Sequence, residues 1–400
     1  MAGALVVAGG FDALVNVVSG RWLDKEQFGV FVAVTALLQV MVHVTNVIRT
    51  VVAYYTADFT AEPQALTMIR TFLRKSWRWS WRWGTVATIT MALLSGSIAR
   101  FMHIDSVWAL YAASLTLLML FVRPVTDGTL QGIQEFIGLS IVQVSQSFLR
   151  LLFAAILILA GWQAFGALLA LPLATTSALF IALWFLRPYF KQPEMEVSVP
   201  SVSLRYSAFT LVGLLSYALL VNVDAIAVKR FFSDAVAGDY GTVVTLGKIN
   251  LFATLGIGMV LFPKATQRHA MGQDSRPILG LALGATLLVG LFVTLAYFLF
   301  SEPIVTMIFT DNYADPGIVL GLVGVATTLY AAVSIWLNYA LSLNRHSFVI
   351  SLAILVLLLI AALFLYHETL EMVASIMIVA GIAGNIAGAV TTLPQKRVDS

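Results

Sequence analysis

The sequence has 400 residues, 60% of them hydrophobic and 11% charged, with a mean hydropathy of +0.92 and a formal net charge of +3. Soluble globular chains carry about 25% charged residues, so this composition excludes a soluble domain, and so small a net charge leaves no electrostatic footprint for nucleic acid. With no cysteine, the chain has no disulfide, no thiolate nucleophile and no cysteine-based metal site.

The apolar runs are about 20 residues long, the length of spanning helices rather than of the ten-residue alternating strands of a membrane barrel. Backbone groups in lipid must be satisfied within the chain, so the expected fold is an all-α polytopic membrane protein. Hydropathy places about twelve spans. The first, 2–20, lacks a basic leading region and a cleavage site, so it reads as a span and not as a removable signal. It carries Asp12, Asn16 and Ser19 at i, i+4 and i+7, a polar stripe on one helical face. The second, 28–56, brings Arg49 one turn after Thr45 and Asn46. Residues 57–82 then read as a long cytoplasmic connection containing "MIRTFLRKSWRWSWRWG". Its tryptophans suit headgroup level, and Arg74, Arg78 and Arg82 suit an anionic lipid surface.

Spans 83–101 and 106–123 follow. In the fifth, 136–160, Ser140, Gln143, Ser147 and Arg150 fall at i, i+3, i+7 and i+10 with Gln146 alongside, a polar stripe ending in an arginine. A charge at membrane depth costs at least ~2.5 kcal/mol, so such residues face a bundle interior or water. An Asp12–Arg49–Arg150 ionic cluster is the expected arrangement in this half. After span 164–186 the proline-bearing stretch 187–205 reads as a linker near the midpoint. The expected organisation is a six-helix lobe over 1–190, a cytoplasmic linker over 191–205 and a second six-helix lobe over 206–400.

The second lobe is read as spans 206–228, 236–262, 277–300, 315–343, 347–366 and 370–393. Tyr217 and Asp224 lie seven residues apart on one face of the seventh span. Thr245 and Lys248 lie three apart on the eighth, so a hairpin places Asp224 within reach of Lys248. Putting both termini in the cytoplasm leaves fifteen Lys and Arg inside against five outside, counted from the sequence, with Arg49, Arg150 and Lys248 inside spans. The halves also echo one another: "LVNVVSGRWLDKEQFGVF" (14–31) parallels "LVNVDAIAVKRFFSDAVAGDYGTV" (220–243), from Asn16 to Asn222. Repeats of six helices enter the membrane in the same direction and are related by a pseudo-two-fold along its normal. No enzymatic constellation appears. The five histidines are scattered, no phosphate-binding loop follows a strand, and no loop is large enough for acceptor chemistry, so neither an enzyme nor a metal site is expected.

The stretch "NVDAIAVKRFFSDAVAGDYGTVVTLGKINLFATLGIGMVLFPKATQ" (222–267) resembles the polysaccharide-exporter and O-antigen flippase branch of the multidrug/oligosaccharidyl-lipid/polysaccharide (MOP) superfamily. The resemblance rests on Asn222 and Asp224, Gly238 and Tyr240, and Phe262–Pro263. It extends through "RWLDKEQFGVF" (21–31), "DGTLQGIQEFIGLSIVQ" (127–143) and "IFTDNYADP" (308–316). It implies two six-helix lobes around a V-shaped cavity, alternating access, and flipping of a polyprenyl-pyrophosphate-linked oligosaccharide across the bacterial inner membrane. Arg49, Arg150 and Lys248, with Gln143 and Gln146, are the candidate substrate-binding residues. Asp12, Asn16 and Asp224 are candidates for proton or sodium coupling or for a gate, and no cofactor is expected. A cation-coupled multidrug exporter of the same superfamily is the second reading, although the embedded charges favour an anionic substrate. The third is a non-transporting subunit of a glycan-synthesis complex, with a glycan polymerase or glycosyltransferases as partners.

Overall fold

The structure is a computed structural model, and it describes residues 2–60, 64–190, 204–251, 274, 276–343 and 345–392. The described residues are helical almost throughout, with no strand among them. They fall into two compact units, Met1–Ser207 and Ala208–Ser400.

The first unit contains α1 (Ala2–Trp22), α2 (Lys25–Phe59), α3 (Ala65–Met102), α4 (Trp108–Gly132), α5 (Phe136–Leu157) and α6 (Gln163–Phe190). Residues 57–82 are therefore not a long connection. α2 runs to Phe59, and α3 is a single 38-residue helix holding the arginine–tryptophan segment and the span that follows it. At 1.5 Å per residue α3 is about 57 Å long, nearly twice the ~30 Å hydrocarbon core, so its polar first turns stand beyond the lipid. Hydropathy reads such turns as loop because they are wet, yet nothing in them breaks a helix. Between α5 and α6 the chain reverses through a π-helical turn, Ile158–Trp162, where Gly161 takes φ +84°. That conformation is open to glycine and strained for most other residues.

The core of this unit joins α3, α4, α5 and α6 through Leu73, Val125, Leu139, Val142, Ala178 and Ala182. Larger apolar side chains point outward, among them Leu93 at 79% and Leu159 at 73% exposed. Large apolar side chains on the outer surface are the arrangement expected where lipid is the solvent. α4 lies close against α2 at Gly128 and Gly132, four residues apart on one face. A Cβ at Gly128 would stand 2.6 Å from the Arg49 carbonyl oxygen, and one at Gly132 would stand 2.7 Å from that of Ala53. This is the small-xxx-small spacing that lets two helix backbones approach in lipid.

The second unit contains α7 (Leu204–Phe231), α8 (described over 234–251), α9 (Arg276–Leu299), the short α10 (Ser301–Ile308), α11 (Ile318–Ser342), α12 (His346–Leu365) and α13 (Leu370–Thr392). The predicted eighth span, 236–262, extends beyond the described residues, as do Phe262 and Pro263 and most of the predicted linker. α10 occupies a stretch read from sequence as an outer loop. α11 is the buried centre of the unit, with Tyr330, Ala331, Val333 and Leu337 almost wholly covered, and it packs on α9, α12 and α13. The motif "IFTDNYADP" follows α10 and is stitched by carboxylates: Asp239 Oδ1 accepts the Ala314 amide at 3.0 Å, and Asp315 Oδ1 accepts from Ser301 and Gly317. Nine of the described helical stretches are long and apolar enough to cross a membrane, one of them being α5 and α6 joined.

Candidate functional site: buried ion pairs and polar networks within the helices

The polar stripes of α1 and α5 meet. α1 packs along α5, which turns Asp12 toward Ser147 and Arg150, the last two members of the α5 stripe. Arg150 Nη1 donates to Asp12 Oδ1 at 3.0 Å, and Ser147 Oγ donates to Asp12 Oδ2, also at 3.0 Å. The arginine side chain is 9% exposed and the aspartate 39%. The pair thus keeps its guanidinium buried and leaves its carboxylate partly exposed. Arg150 Nε has no hydrogen-bond partner among the described residues, so one strong donor of a buried cation is unspent.

The flanking candidates are held differently. Asn16 donates to the backbone carbonyl of Asp12 at 2.9 Å and so braces α1 without touching the ion pair. Gln146 turns to α6 and donates to Thr175 at 3.1 Å. Gln143 Oε1 is buried without a partner among the described residues.

Arg49 does not join this cluster. Its Nε donates to Gln131 Oε1 at 3.0 Å, and Asp127 and Arg123 are the charges that act on it. Arg123 pairs in turn with Asp127 at 3.2 Å, one turn apart on α4. The reason is the close approach of α2 to α4: Gln131 lies between Gly128 and Gly132 on the helix that Arg49 packs against. The expected three-residue cluster therefore resolves into two separate polar groups in the first unit.

In the second unit Asp224 is 3% exposed. Its direct donor is Tyr240, whose hydroxyl reaches Oδ2 at 2.9 Å, and Lys248 acts on it electrostatically. The hydrogen bond across the α7–α8 hairpin is thus made by a phenol, and the lysine stabilises the carboxylate through space. Lys229, in the last turn of α7, is 1% exposed and pairs with Asp234. Asn222 donates to the Ala218 carbonyl at 2.9 Å. Asn16 makes the same bond to the residue four before it, so the repeated asparagines brace their helices alike.

Sequence reading missed a further polar knot. Asn250 donates to Thr328 Oγ1 at 2.9 Å, to Thr327 Oγ1 at 3.1 Å and to the Gly324 carbonyl at 3.2 Å, and Thr294 meets Thr328 at 3.2 Å. It ties α8 and α9 to α11. Only the spacing of Thr327 and Thr328 hints at it, and threonines that bond their own helix carbonyls are common in membrane helices. Among the described residues no group of three or more His, Cys, Asp or Glu is placed to hold a metal ion.

Tyr240→Phe is expected to lower stability by about 1.5–3 kcal/mol, because it deletes a side-chain hydrogen bond to a buried carboxylate. Asp224→Asn in the same background should recover part of that loss. Thermal unfolding of the purified variants in detergent checks both.

No family model matches the chain, and no curated protein does. Solved structures do. A multidrug resistance MATE family transporter of the MOP superfamily, in its inward-facing conformation, matches with a TM-score of 0.80 at 16% identity, covering 99% of each chain. The lipid II flippase MurJ, inward closed, matches with a TM-score of 0.73 at 13% identity, over 98% of this chain and 87% of the other. A MOP superfamily transporter from Pyrococcus furiosus Vc1, described as having a binding pocket of reverse polarity that suggests a different function, matches with a TM-score of 0.63 at 15% identity. It covers 97% of this chain and 93% of its own. At such identities the likeness is one of fold, and the chain is a multi-pass membrane protein with the fold of MOP superfamily transporters.

Proposed function

We propose that the chain is a transporter that moves a polyprenyl-pyrophosphate-linked oligosaccharide across the bacterial inner membrane by alternating access. The observation that carries this reading is Arg150, a buried guanidinium paired with Asp12, whose other carboxylate oxygen accepts from Ser147, and with its Nε unspent. A pyrophosphate offers several closely spaced anionic oxygens, which the planar fork of a guanidinium binds bidentately. The charges that the sequence places inside spans support the same substrate class, with Arg49, Arg150 and Lys248 against Asp12 and Asp224. A protein of this fold, MurJ, is described as a lipid II flippase, which supports a lipid-borne substrate.

In this reading Asp12 is both the resting partner of Arg150 and its competitor. A proton arriving on Asp12 cancels the carboxylate charge and leaves Arg150 available to phosphate oxygens. The substrate's own phosphates, arriving instead, displace the carboxylate directly. Either route links substrate capture to the breaking of an α1–α5 contact, which is the kind of discrete rearrangement that a two-state carrier needs.

The test is charge reversal. Arg150→Glu, with normal insertion and abundance verified, is expected to abolish surface glycan export in a strain dependent on this chain, while Arg150→Lys retains part of it. Undiminished export by Arg150→Glu would remove the proposal. A cation-coupled drug exporter is the second reading, favoured by the MATE transporter structures among the matches. It predicts dye efflux from proteoliposomes that Asp12→Asn suppresses. Membership of a glycan-synthesis complex predicts neither export by the purified chain nor efflux, but copurification with a glycan polymerase or glycosyltransferase.

A further inference from the structure

α2 and α3 converge at one end and part at the other. At the closed end Tyr55, Phe59 and Phe72 pack edge to face, with ring centroids 5.5 and 5.8 Å apart for the two pairs that include Phe72. Beyond Phe72 the helices separate and leave a groove of about 430 Å³. Such a volume lies within the ~300–1,000 Å³ range of ligand clefts. Its α2 wall is aliphatic, with Val47 and Val51 prominent. Its α3 wall carries Lys75, Ser76, Trp79 and Ser80.

The composition of the two walls specifies an occupant. The aliphatic wall and the aromatic floor suit hydrocarbon. Lys75 and Trp79 are exposed at the mouth, and Arg78 follows on the next turn. The lining residues include a cation and no carboxylate. Ser80 lies on this wall fully buried, and its hydroxyl has no hydrogen-bond partner among the described residues. A pure hydrocarbon would leave that donor unsatisfied, whereas an ester carbonyl would accept from it. The groove also lies at the arginine–tryptophan level of α3, where aromatic rings and cations mark the headgroup region. Basic clefts between spanning helices at that depth select acidic lipids.

We propose that the α2–α3 groove is a binding site for an acidic glycerophospholipid. The phosphate lies on Lys75, the ester region lies at Ser76 and Ser80, and one acyl chain runs past Val51 and Val47 toward the open end. The site rests on membrane insertion and not on the transport reading, so it stands or falls independently of the substrate.

The test uses the full-length protein in mild detergent, with native mass spectrometry reading retained lipid. Phosphatidylglycerol and phosphatidylcholine of identical chains are the probes. Phosphatidylglycerol is expected to be retained at least tenfold better, and Lys75→Gln to remove that preference. Val47→Trp at the open end is expected to reduce retention of both lipids, with unfolding temperature confirming that the variant folds. Equal retention of the two lipids, or a preference unchanged by Lys75→Gln, would overturn the site. So would displacement of bound phosphatidylglycerol by equimolar polyprenyl pyrophosphate, which would assign the groove to the cargo lipid.

Discussion

Asp12→Leu is expected to lower the stability of the protein by about 2 kcal/mol, and adding Arg150→Met to restore most of that loss. Removing one partner of a buried ion pair costs ~3–5 kcal/mol because the other charge stays desolvated. Here the carboxylate side chain is 39% exposed, and exposed pairs contribute only ~0–1 kcal/mol, so the expectation lies between these limits. The single variant strands a guanidinium that is 9% exposed and removes the carboxylate that both Arg150 and Ser147 donate to. The double variant replaces the pair with two apolar side chains on the α1–α5 seam, an exchange that is often neutral. The coupling between the two sites, read by thermal unfolding in detergent, should be about 1–3 kcal/mol. A coupling near zero would mean that the pair does not join α1 to α5 in the folded protein. Stability and transport then separate cleanly: the double variant should fold well and export nothing.

A second large effect is expected at the α2–α4 contact. Gly128→Leu and Gly132→Leu should each cost about 3 kcal/mol, the upper part of the ~1–3 kcal/mol usual for overpacking, because the obstacle is backbone and not a mobile side chain. At Gly128 the obstacle is the Arg49 carbonyl at 2.6 Å with Val52 Cβ at 2.9 Å; at Gly132 it is the Ala53 carbonyl at 2.7 Å with Thr56 Cβ at 2.6 Å. The double variant should fail to accumulate as folded protein. Gly96→Leu and Gly280→Leu, where nothing lies within 4 Å of a Cβ, are the controls and should unfold within a few degrees of the parent. The same contact sets the Arg49–Gln131 hydrogen bond, so forcing the helices apart should also release Arg49. In the parent that arginine is engaged on α4, and any role with substrate requires it to leave Gln131.

Several features were open to reading from sequence because they depend on one helix at a time. Spanning segments are visible as apolar runs, since the cost of exposing polar groups to lipid acts residue by residue. The stripes containing Asp12 and Arg150 are visible because 3.6-residue periodicity puts i, i+4 and i+7 on one face. The repeated asparagines are visible too, and Asn16 and Asn222 make the same bond to a carbonyl one turn back. Where a helix crosses the lipid boundary, hydropathy alone misled. α3 continues unbroken through wet turns that a hydropathy window takes for a loop.

Partners across helices were decided by packing. Asp12 finds Arg150 because α1 lies along α5. Arg49, which belongs to an equally polar stripe, is captured by Gln131 because two glycines four residues apart bring α4 against α2. Asp224 receives its hydrogen bond from Tyr240 rather than from Lys248, since a rigid phenol on the facing turn of the hairpin reaches the carboxylate first. The Asn250–Thr327–Thr328 knot joins residues more than seventy positions apart, and no periodicity within either segment announces it. The sequence by itself therefore determined which segments are apolar enough to span and on which face of a helix the stripe residues lie, because lipid and helical geometry act locally. Which embedded charge meets which partner was left to the tertiary structure, because that depends on how closely small residues let two backbones approach.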